Sequence, residues 1–367
     1  MTEQEAYIAL NMMERIGPVG VRSLVAVLGS ARAIFKASSA ELQQADGIGP
    51  ELAASLIRQR DQVEFEAELA HAAETDTRLI TPLDEEYPES LRQIHDPPLA
   101  LYVRGRIRPT DRHAVAVVGT RRATHYGMDS ARKLSYQLGK SGVCVLSGLA
   151  LGIDTAAHEG ALRAGGRTIA VIGSGFDHIY PDENIDLASR IGEHGALLTE
   201  FPFSRKPDKT TFPMRNRIVS GLSKGVLVIE AGQRSGAAIT ANQALAQGRS
   251  VFAVPGRIDS YASMGTNSLI KQGATLVTGV RDILEHFEML FPQAVGEEDS
   301  VAALSPRASL SDDEALVVKV LRKGELGVDV LIRESGVSPS KIASLLVSLE
   351  LKRVVRMLPG QKVELIG

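Results

Sequence analysis

The central part of the chain alternates short apolar runs with segments long enough to form helices. Between Arg78 and about Leu290 these runs are AVAVVG at 114, GVCVLSG at 142, TIAVIGSG at 168, ALLTEFP at 196, GVLVIEAG at 225, SVFAVPG at 250 and ATLVTG at 274. Strands that are apolar on both faces and separated by helices are typical of a parallel sheet covered on both sides. The sequence therefore predicts a doubly wound α/β domain with a mainly parallel sheet.

The first 75 residues have the pattern of short helices instead. Two Gly-Pro turns, IGPVG at 16–20 and GIGPELA at 47–53, indicate a helix-hairpin-helix unit that is used twice. In DNA-binding units of this kind the glycine turn offers backbone N–H groups to a phosphate. This segment holds six Lys and Arg against eleven Asp and Glu, a net charge of −5 that would repel a polyanion. We expect a structural or protein-contact role, with phosphate binding as the alternative.

The C-terminal part follows a segment rich in Pro, Ala, Ser and acidic residues. Ser338 as N-cap and Pro339 at the first helical position begin a helix, and a hairpin turns at Pro359-Gly360. That helix is expected to bury Ile342, Leu345, Leu346 and Leu349. The order is typical of a winged helix, which either enters a DNA groove or contacts protein. The predicted domains are a helical domain at 1–75, the α/β domain at 76–290, a linker at 291–308 and a winged-helix-like domain at 309–367.

Composition excludes several classes of protein. The net charge of −3 over 367 residues argues against a uniformly basic nucleic-acid coat. The single cysteine, Cys144, excludes a disulfide within the chain and a multi-cysteine zinc site, and we expect a buried thiol. The first residues, MTEQEAYIAL, lack the basic and apolar regions of a signal peptide, and no run of about 18 apolar residues occurs. We expect a cytoplasmic protein without a membrane partner.

Ligands of parallel sheets bind beyond the carboxyl ends of the strands. Here those ends carry GTRRAT, SGLALGID, GSGFD, TEFPF and VPGR. The dinucleotide fingerprint fails because His178 replaces the third glycine after Gly173 and Gly175, and no P-loop motif is present. We therefore predict no nucleotide cofactor and no metal.

Phosphate remains the expected ligand of these turns. Glycine turns expose N–H groups, helix N-termini add partial positive charge, and Arg121 and Arg122 follow the first run directly. The alternative is that glycines such as Gly148 and Gly175 only permit close packing.

The segment 201–217, FPFSRKPDKTTFPMRNR, combines basic and aromatic residues. It has five Lys and Arg against one Asp, and three of the nine phenylalanines of a chain without tryptophan. Cations that follow a backbone and rings that stack on bases are the two requirements for binding single-stranded nucleic acid. We expect Phe201 and Phe203 to lie in the core and Phe212 to be exposed.

Catalysis is the competing class of function. Carboxylates and a histidine near the strand ends are Asp154, His158, Asp177, Glu200 and Glu230. Asp154 and His158, four residues apart, could form an acid/base pair, or Asp154 could simply favour a helix N-terminus. Ser147 lacks the GxSxG elbow of serine hydrolases. We favour structural roles and predict no catalytic residue.

Several long motifs resemble one family. VVGTRRATHYG, LSGLALGIDTAAHEGAL, TIAVIGSGFDHIYP, FPMRNRIVSGLS and SGAAITANQALAQGRSVFAVPG, with GTNSLIKQGA, are similar to the DNA-processing protein A family, DprA or Smf, over about residues 80–285. The resemblance implies an extended Rossmann-like fold that binds single-stranded DNA, protects it from nucleases and loads the RecA recombinase onto it during natural transformation. Members often carry a helical N-terminal domain and a winged-helix-like C-terminal domain, which fits the flanks.

The resemblance also implies site residues. The DNA-contact positions of the family fall on Arg121, Lys209, Phe212 and Arg215. From the same turns and motifs, further candidates for DNA binding are Gly119, Thr120, Ser147, Gly148, Gly175 and Asn216. The family forms homodimers through the end of this domain, which implies an interface at Asn267, Leu269, Ile270 and Leu276, although these residues could equally be core.

The runner-up is a hydrolase. Cytokinin-activating phosphoribohydrolases have a similar fold and need a PGGxGTxxE loop after the strand that corresponds to VLVIEAG. This chain has EAGQRSGAAITANQ there, without the paired glycines or the final glutamate. The sequence therefore favours binding over hydrolysis.

Overall fold

The computed structural model describes residues 1–232, 235–290, 312–321, 326–335, 337–338, 341–342, 345–346, 349, 354–358 and 362–365. The chain divides into two compact units, Met1–Phe287 and Glu288–Gly367. The predicted linker at 291–308, the position of Pro339 and the turn at Pro359-Gly360 lie outside the described residues. In the part of the chain that is described, no helix is both long and apolar enough to cross a membrane.

The first unit begins with short helices. They are α1 (Glu3–Met12), α2 (Pro18–Leu28), α3 (Ala31–Ile34), α4 (Ser39–Leu42), α5 (Pro50–Arg60) and α6 (Phe65–Glu74). Gly17 and Gly49 are the N-caps of α2 and α5, and a proline occupies the first turn of each helix. This confirms that the two Gly-Pro turns begin helices. The helices pack around Leu10, Leu24, Leu42 and Leu56.

A mainly parallel sheet follows in the same unit. Its strands are β1 (Arg78–Ile80), β2 (Leu101–Gly105), β3 (Ala114–Val118), β4 (Cys144–Ser147), β5 (Thr168–Val171), β6 (Ala196–Thr199), β7 (Gly225–Val228), β8 (Ser250–Ala253) and β9 (Thr275–Leu276). Their order is β1-β2-β6-β5-β4-β3-β7-β8-β9. All seven predicted runs form strands, and neighbouring strands among β3 to β9 pair in parallel. Cys144 is buried as expected, and burial raises the pKa of its thiol well above the ordinary value.

Strands β1 and β2 were not predicted. They pair with each other and with β6 in antiparallel fashion, and so extend the sheet at one edge. A run of three residues is too short to show periodicity, which explains why the sequence did not reveal β1.

Helices cover both faces of the sheet, as the alternation predicts. They are α7 (Glu89–Arg92), α8 (His125–Lys140), α9 (Ile153–Arg163), α10 (Ile185–His194), α11 (Thr211–Leu222), α12 (Gly236–Ala246), α13 (Tyr261–Lys271) and α14 (Val280–Leu290). Val115 and Val117 of β3 pack in one apolar cluster with residues of α8 and α9. Ala114 and Ala116 pack on the other face with residues of α11 and α12. The fold is therefore a doubly wound, extended Rossmann-like sheet.

The second unit is smaller. It contains α15 (Asp312–Leu321), β10 (Leu326–Gly327), α16 (Val328–Ser335), β11 (Val355–Leu358) and β12 (Lys362–Leu365). The strands form an antiparallel sheet in the order β10-β12-β11, which includes the predicted hairpin. Ile342, Leu346 and Leu349 are buried and Leu345 is half-buried, as the winged-helix pattern predicts.

Candidate functional site

A cavity of about 360 Å³ opens at the carboxyl ends of β3 and β4. It lies against the first turns of α11 and α12. Eight of the ten predicted DNA-binding residues line it, namely Gly119, Thr120, Arg121, Gly148, Lys209, Phe212, Arg215 and Asn216. The topology brings together turns that are far apart in the sequence, as expected for the carboxyl edge of a parallel sheet.

The start of α11 is fixed by its preceding loop. The Asp208 carboxylate accepts hydrogen bonds from the Thr210 hydroxyl and from the backbone N–H groups of Thr210 (2.6 Å) and Thr211 (3.1 Å). The hydroxyl and then the N–H of Thr210 hold the pKa of this carboxyl below its usual range. On the helix that follows, Phe212, Arg215 and Asn216 are spaced i, i+3 and i+4 and share one face. This face is the one that lines the cavity.

Two aromatic rings and one arginine meet at the rim. The guanidinium carbon of Arg121 lies 4.8 Å from the centre of the Phe212 ring. The Tyr180 ring, which sequence reasoning missed although the IYP motif contains it, lies 6.1 Å from Phe212 and is 46% exposed. Phe212 itself is half-buried rather than exposed as predicted, because Gly173 lies behind the ring and Arg121 lies over it.

Two cations of the rim are accessible. Lys209 and Arg121 are both exposed, and neither forms an ion pair with any other described residue. Ser235, which caps α12 through the N–H of Ala238 (3.3 Å), adds a helix N-terminus to the same cavity. Among the described residues, the carboxylate that lines this cavity is that of Asp154, which is buried and bound to backbone N–H groups, so the rim offers exposed positive charge that suits a phosphate.

Arg215 occupies a different position from the exposed cations. Its side chain is only 4% exposed and donates to the backbone carbonyls of Gly148 (2.5 Å) and Val171. Burial lowers the pKa of Arg215 to about 10, against the opposing effect of Asp154. Arg215 therefore forms the floor of the cavity and positions the loop after β4, instead of standing free at the surface.

The loop after β4 is shaped around that arginine. A Cβ atom at Gly148 would lie 2.3 Å from the Arg215 guanidinium, so a side chain there would displace the guanidinium from the two carbonyls that it binds. Leu149 has a left-handed backbone (φ 63°), which is unusual for a residue with a side chain. The Asp154 carboxylate accepts from the N–H groups of Gly148 (3.1 Å) and Ala150 (3.3 Å). Strained backbone of this kind is typical of functional sites.

Two predicted DNA-binding residues lie away from the cavity. Ser147 is fully buried at the end of β4, and its hydroxyl donates to the carbonyl of Val117 (2.6 Å). A Cβ atom at Gly175 would lie 2.0 Å from the carbonyl of Pro202, which makes it a packing glycine. The structure therefore contradicts a direct contact for both, because neither reaches the surface of the cavity.

The position of Arg217 shows that segment 201–217 exposes less positive charge than the sequence predicts. Its guanidinium donates to both Glu200 carboxylate oxygens (3.0 and 2.6 Å) and to Asp96 (2.8 Å), and only 6% of its side chain is exposed. Burial would lower the pKa of Arg217, but the charges of Glu200 and Asp96 raise it above its ordinary value. Both Arg215 and Arg217 are thus buried, and Arg205 pairs with Asp208 (2.6 Å). The surface patch is smaller than the count of charges suggests.

Phe201 and Phe203 are buried, as predicted for core residues. Their burial leaves Phe212 as the ring of this segment that borders the cavity.

The candidate catalytic residues have structural partners. His158 is fully buried, its Nδ1 lies 2.7 Å from the Thr168 hydroxyl, and burial lowers its pKa to about 3. Glu230 accepts from the backbone and hydroxyl of Thr124, the N-cap of α8. Asp177 lies 3.0 Å from His71 of α6. These contacts give His158, Glu230 and Asp177 hydrogen-bond partners within the chain.

The predicted dimer residues differ in exposure. Leu269 is buried in the core of its own chain, so it is not available to a partner, which corrects its assignment to an interface. Ile270 and Asn267 are half-buried, and Asn267 exchanges hydrogen bonds with Gly256. Leu276 is 45% exposed.

Comparisons with known proteins cover most of the chain. Residues 78–288 match the family model of DNA recombination-mediator protein A, and residues 301–361 match that of the DprA winged helix domain. Protein Smf of Escherichia coli is 38% identical over 313 residues, which cover 82% of this chain and 81% of the relative.

Solved structures of related proteins show the same similarity, in fold as well as in sequence. The X-ray structure of DNA processing protein A from Streptococcus pneumoniae has a TM-score of 0.68 and 35% identity, and the match covers 78% of this chain and 99% of that one. A structure of the Helicobacter pylori protein, which concerns its single-stranded DNA binding mode, has a TM-score of 0.53 and 31% identity over 58% of this chain and 96% of that one. The chain therefore belongs to the family of DNA processing protein A, which is also named DprA or Smf.

Proposed function

We propose that this chain binds single-stranded DNA in the cavity at the carboxyl ends of β3 and β4. The observation that carries the proposal is the contact between the exposed Arg121 and the Phe212 ring, with exposed Lys209 on the same rim. Cations that bind phosphates beside a ring that stacks on a base suit a strand whose bases are unpaired. The single-stranded DNA binding of the Helicobacter pylori relative supports this choice of ligand.

In this proposal the Phe212 ring and the residues around it have separate roles in binding the strand. Arg121 leaves the face of Phe212 when a base arrives and binds the adjacent phosphate, which its exposed side chain permits. Tyr180, beside Phe212, offers a second surface to the same base or to the next one. Arg215 contributes positive potential from the floor while its hydrogen bonds keep the loop after β4 in place.

The finer role that we propose follows from the family resemblance. The protein protects incoming single strands in the cytoplasm and loads the RecA recombinase onto them as a homodimer during natural transformation, without a catalytic step. The direct test measures RecA filament formation on strands coated with a single-strand binding protein, with and without this chain. Loading that is the same in both cases would contradict the role.

Replacing Lys209 by alanine is expected to weaken strand binding and to reduce the dependence of log affinity on log salt by about 0.7, the value of one phosphate contact on a single strand. Lys206→Ala is the matched control, because Lys206 is exposed in the same loop but does not line the cavity. Titration at several salt concentrations measures both. If log affinity depends on log salt equally in the two variants, Lys209 does not contact a phosphate and is not part of the site.

A further inference from the structure

Helix α6, at the end of the acidic N-terminal segment, contacts the connection between β6 and α11. Its Glu68 carboxylate accepts hydrogen bonds from the backbone N–H of Phe203 (2.9 Å) and from the hydroxyl of Tyr102 in β2 (2.8 Å), both on the oxygen Oε1. Tyr102 and Phe203 are buried, so water competes little for these bonds. Glu68 therefore ties α6 both to the sheet and to the chain that leaves β6.

The same helix holds a second loop through His71. The Nε2 atom of His71 lies 3.0 Å from the carboxylate of Asp177, in the loop after β5. The His71 ring also meets the Phe203 ring edge-on, with 4.4 Å between the ring centres. Glu68 and His71 are three residues apart and share one face of α6. One face of this helix thus anchors the loops that follow β5 and β6.

These two loops continue into the rim of the DNA site. Tyr180 follows Asp177 by three residues, and Lys209 follows Phe203 by six residues. Residues 204–208, all of which the structure describes, lie in neither a helix nor a strand. The position of Lys209 therefore depends on where the start of its loop is held, and that of Tyr180 on where Asp177 is held.

We propose that Glu68 and His71 are positioning residues of the DNA site, which hold Lys209 and Tyr180 in place without touching the strand. This inference rests on the proposed binding of single-stranded DNA. It gives a role to the acidic N-terminal segment, whose net negative charge would repel a strand that lay on it directly.

The negative charge of Glu68 makes the test sharp. Removing a carboxylate from a protein that binds a polyanion should, through charge alone, tighten binding. Loss of positioning predicts weaker binding instead, so the two effects have opposite signs. A side chain that serves only folding would change stability and leave the affinity of the folded protein unchanged.

Glu68→Ala is expected to weaken binding of the full chain to an oligothymidylate strand by about tenfold, the effect of a lost hydrogen bond between Lys209 and a phosphate. The dependence of log affinity on log salt should fall by about 0.7, although the variant removes no cation. Glu68→Gln keeps the oxygen that accepts both bonds and should bind like the original protein. Titration at several salt concentrations measures affinity, and thermal melting checks that each variant is folded.

Glu66→Ala is the matched control, because it removes the same charge from an exposed position of α6. It should bind the strand as tightly as the original protein or slightly more tightly. Adding Glu68→Ala to Lys209→Ala should weaken binding little further, because the contact that Glu68 positions is already lost.

Asp177→Ala tests the second anchor. The Asp177 side chain is 41% exposed, so this variant should fold even if Glu68→Ala does not. It also removes a negative charge and should nevertheless weaken strand binding. Unchanged or tighter binding by folded Glu68→Ala or by Asp177→Ala would overturn the proposal, as would additive losses in the double variant.

The variants of the DNA site itself show which claim has failed. If Lys209→Ala and Phe212→Ala bind the strand as tightly as the original protein, the proposed DNA site is wrong. If both weaken binding while Glu68→Ala and Asp177→Ala do not, the DNA site stands and only the positioning role is wrong.

Discussion

Replacing Arg217 by methionine is expected to lower the free energy of unfolding by about 3–5 kcal/mol, the cost of breaking a buried ion pair. The reason is that Glu200, which is only 7% exposed, would stay buried without the two hydrogen bonds and the positive charge of Arg217, while burial already raises the pKa of its carboxyl. Asp96 is more exposed and can turn to water. Urea denaturation of the purified chain measures the change.

Two control variants test whether the unpaired Glu200 causes this loss of stability. Arg205→Met breaks an ion pair whose partners are 45% and 42% exposed, so it should cost only about 0.2–1 kcal/mol. Replacing Glu200 together with Arg217 by methionine should recover most of the loss, because no buried charge remains unpaired. An Arg217→Met protein that is as stable as the original but binds DNA poorly would make Arg217 a DNA contact instead.

Replacing Phe212 by alanine is expected to cost about 1–3 kcal/mol in the binding of single-stranded DNA, the contribution of one base stacked on a ring. The dependence of affinity on salt should stay nearly unchanged, because a neutral ring releases no counterion. Phe212→Tyr keeps the ring and should have almost no effect. Titrations of both variants at several salt concentrations measure these quantities.

The stability of the same variants separates binding from folding. A fully buried phenylalanine costs about 3–5 kcal/mol of stability when it is truncated, whereas Phe212 is half-buried and should cost less. If Phe212→Ala melts much earlier than the original protein but binds DNA normally while folded, the ring is part of the core and the stacking role is wrong.

The sheet could be predicted because each of its parallel strands is marked by its own residues in the sequence. Each parallel strand from β3 to β9 is an apolar run, and its carboxyl end is marked by glycine or polar residues in the sequence itself. The same logic located Arg121, since parallel topology brings the ends of neighbouring strands together. Phe212 was located by the basic and aromatic composition of segment 201–217, and Lys209 by the family resemblance.

The direction of charged side chains could not be predicted in the same way. Arg215 and Arg217 look like surface cations in the sequence, but their partners are distant along the chain. Glu200 is 17 residues from Arg217, Asp96 is 121 residues away, and Gly148 is 67 residues from Arg215. Only the folded sheet brings these groups together, so a count of local charge overestimated the positive surface.

Sequence reasoning missed Tyr180 and wrongly assigned Gly175 to the DNA site, for related reasons. The ring of Tyr180 reaches Phe212 only after the loop beyond β5 folds back toward α11. Gly175 looks like part of a phosphate-binding turn, but its lack of a side chain serves close contact with Pro202 and Phe203. Both roles depend on contacts between segments that no short motif encodes.

The central claim is that the cavity beside Arg121, Lys209 and Phe212 accepts unpaired bases. The most direct measurement compares the equilibrium affinity of the full chain for a single strand and for a blunt duplex of equal length, at several salt concentrations. We predict tighter binding of the single strand throughout, with little dependence on its sequence, because the site offers charge and rings but no element that reads a groove. Equal affinity for the two DNAs would contradict the account.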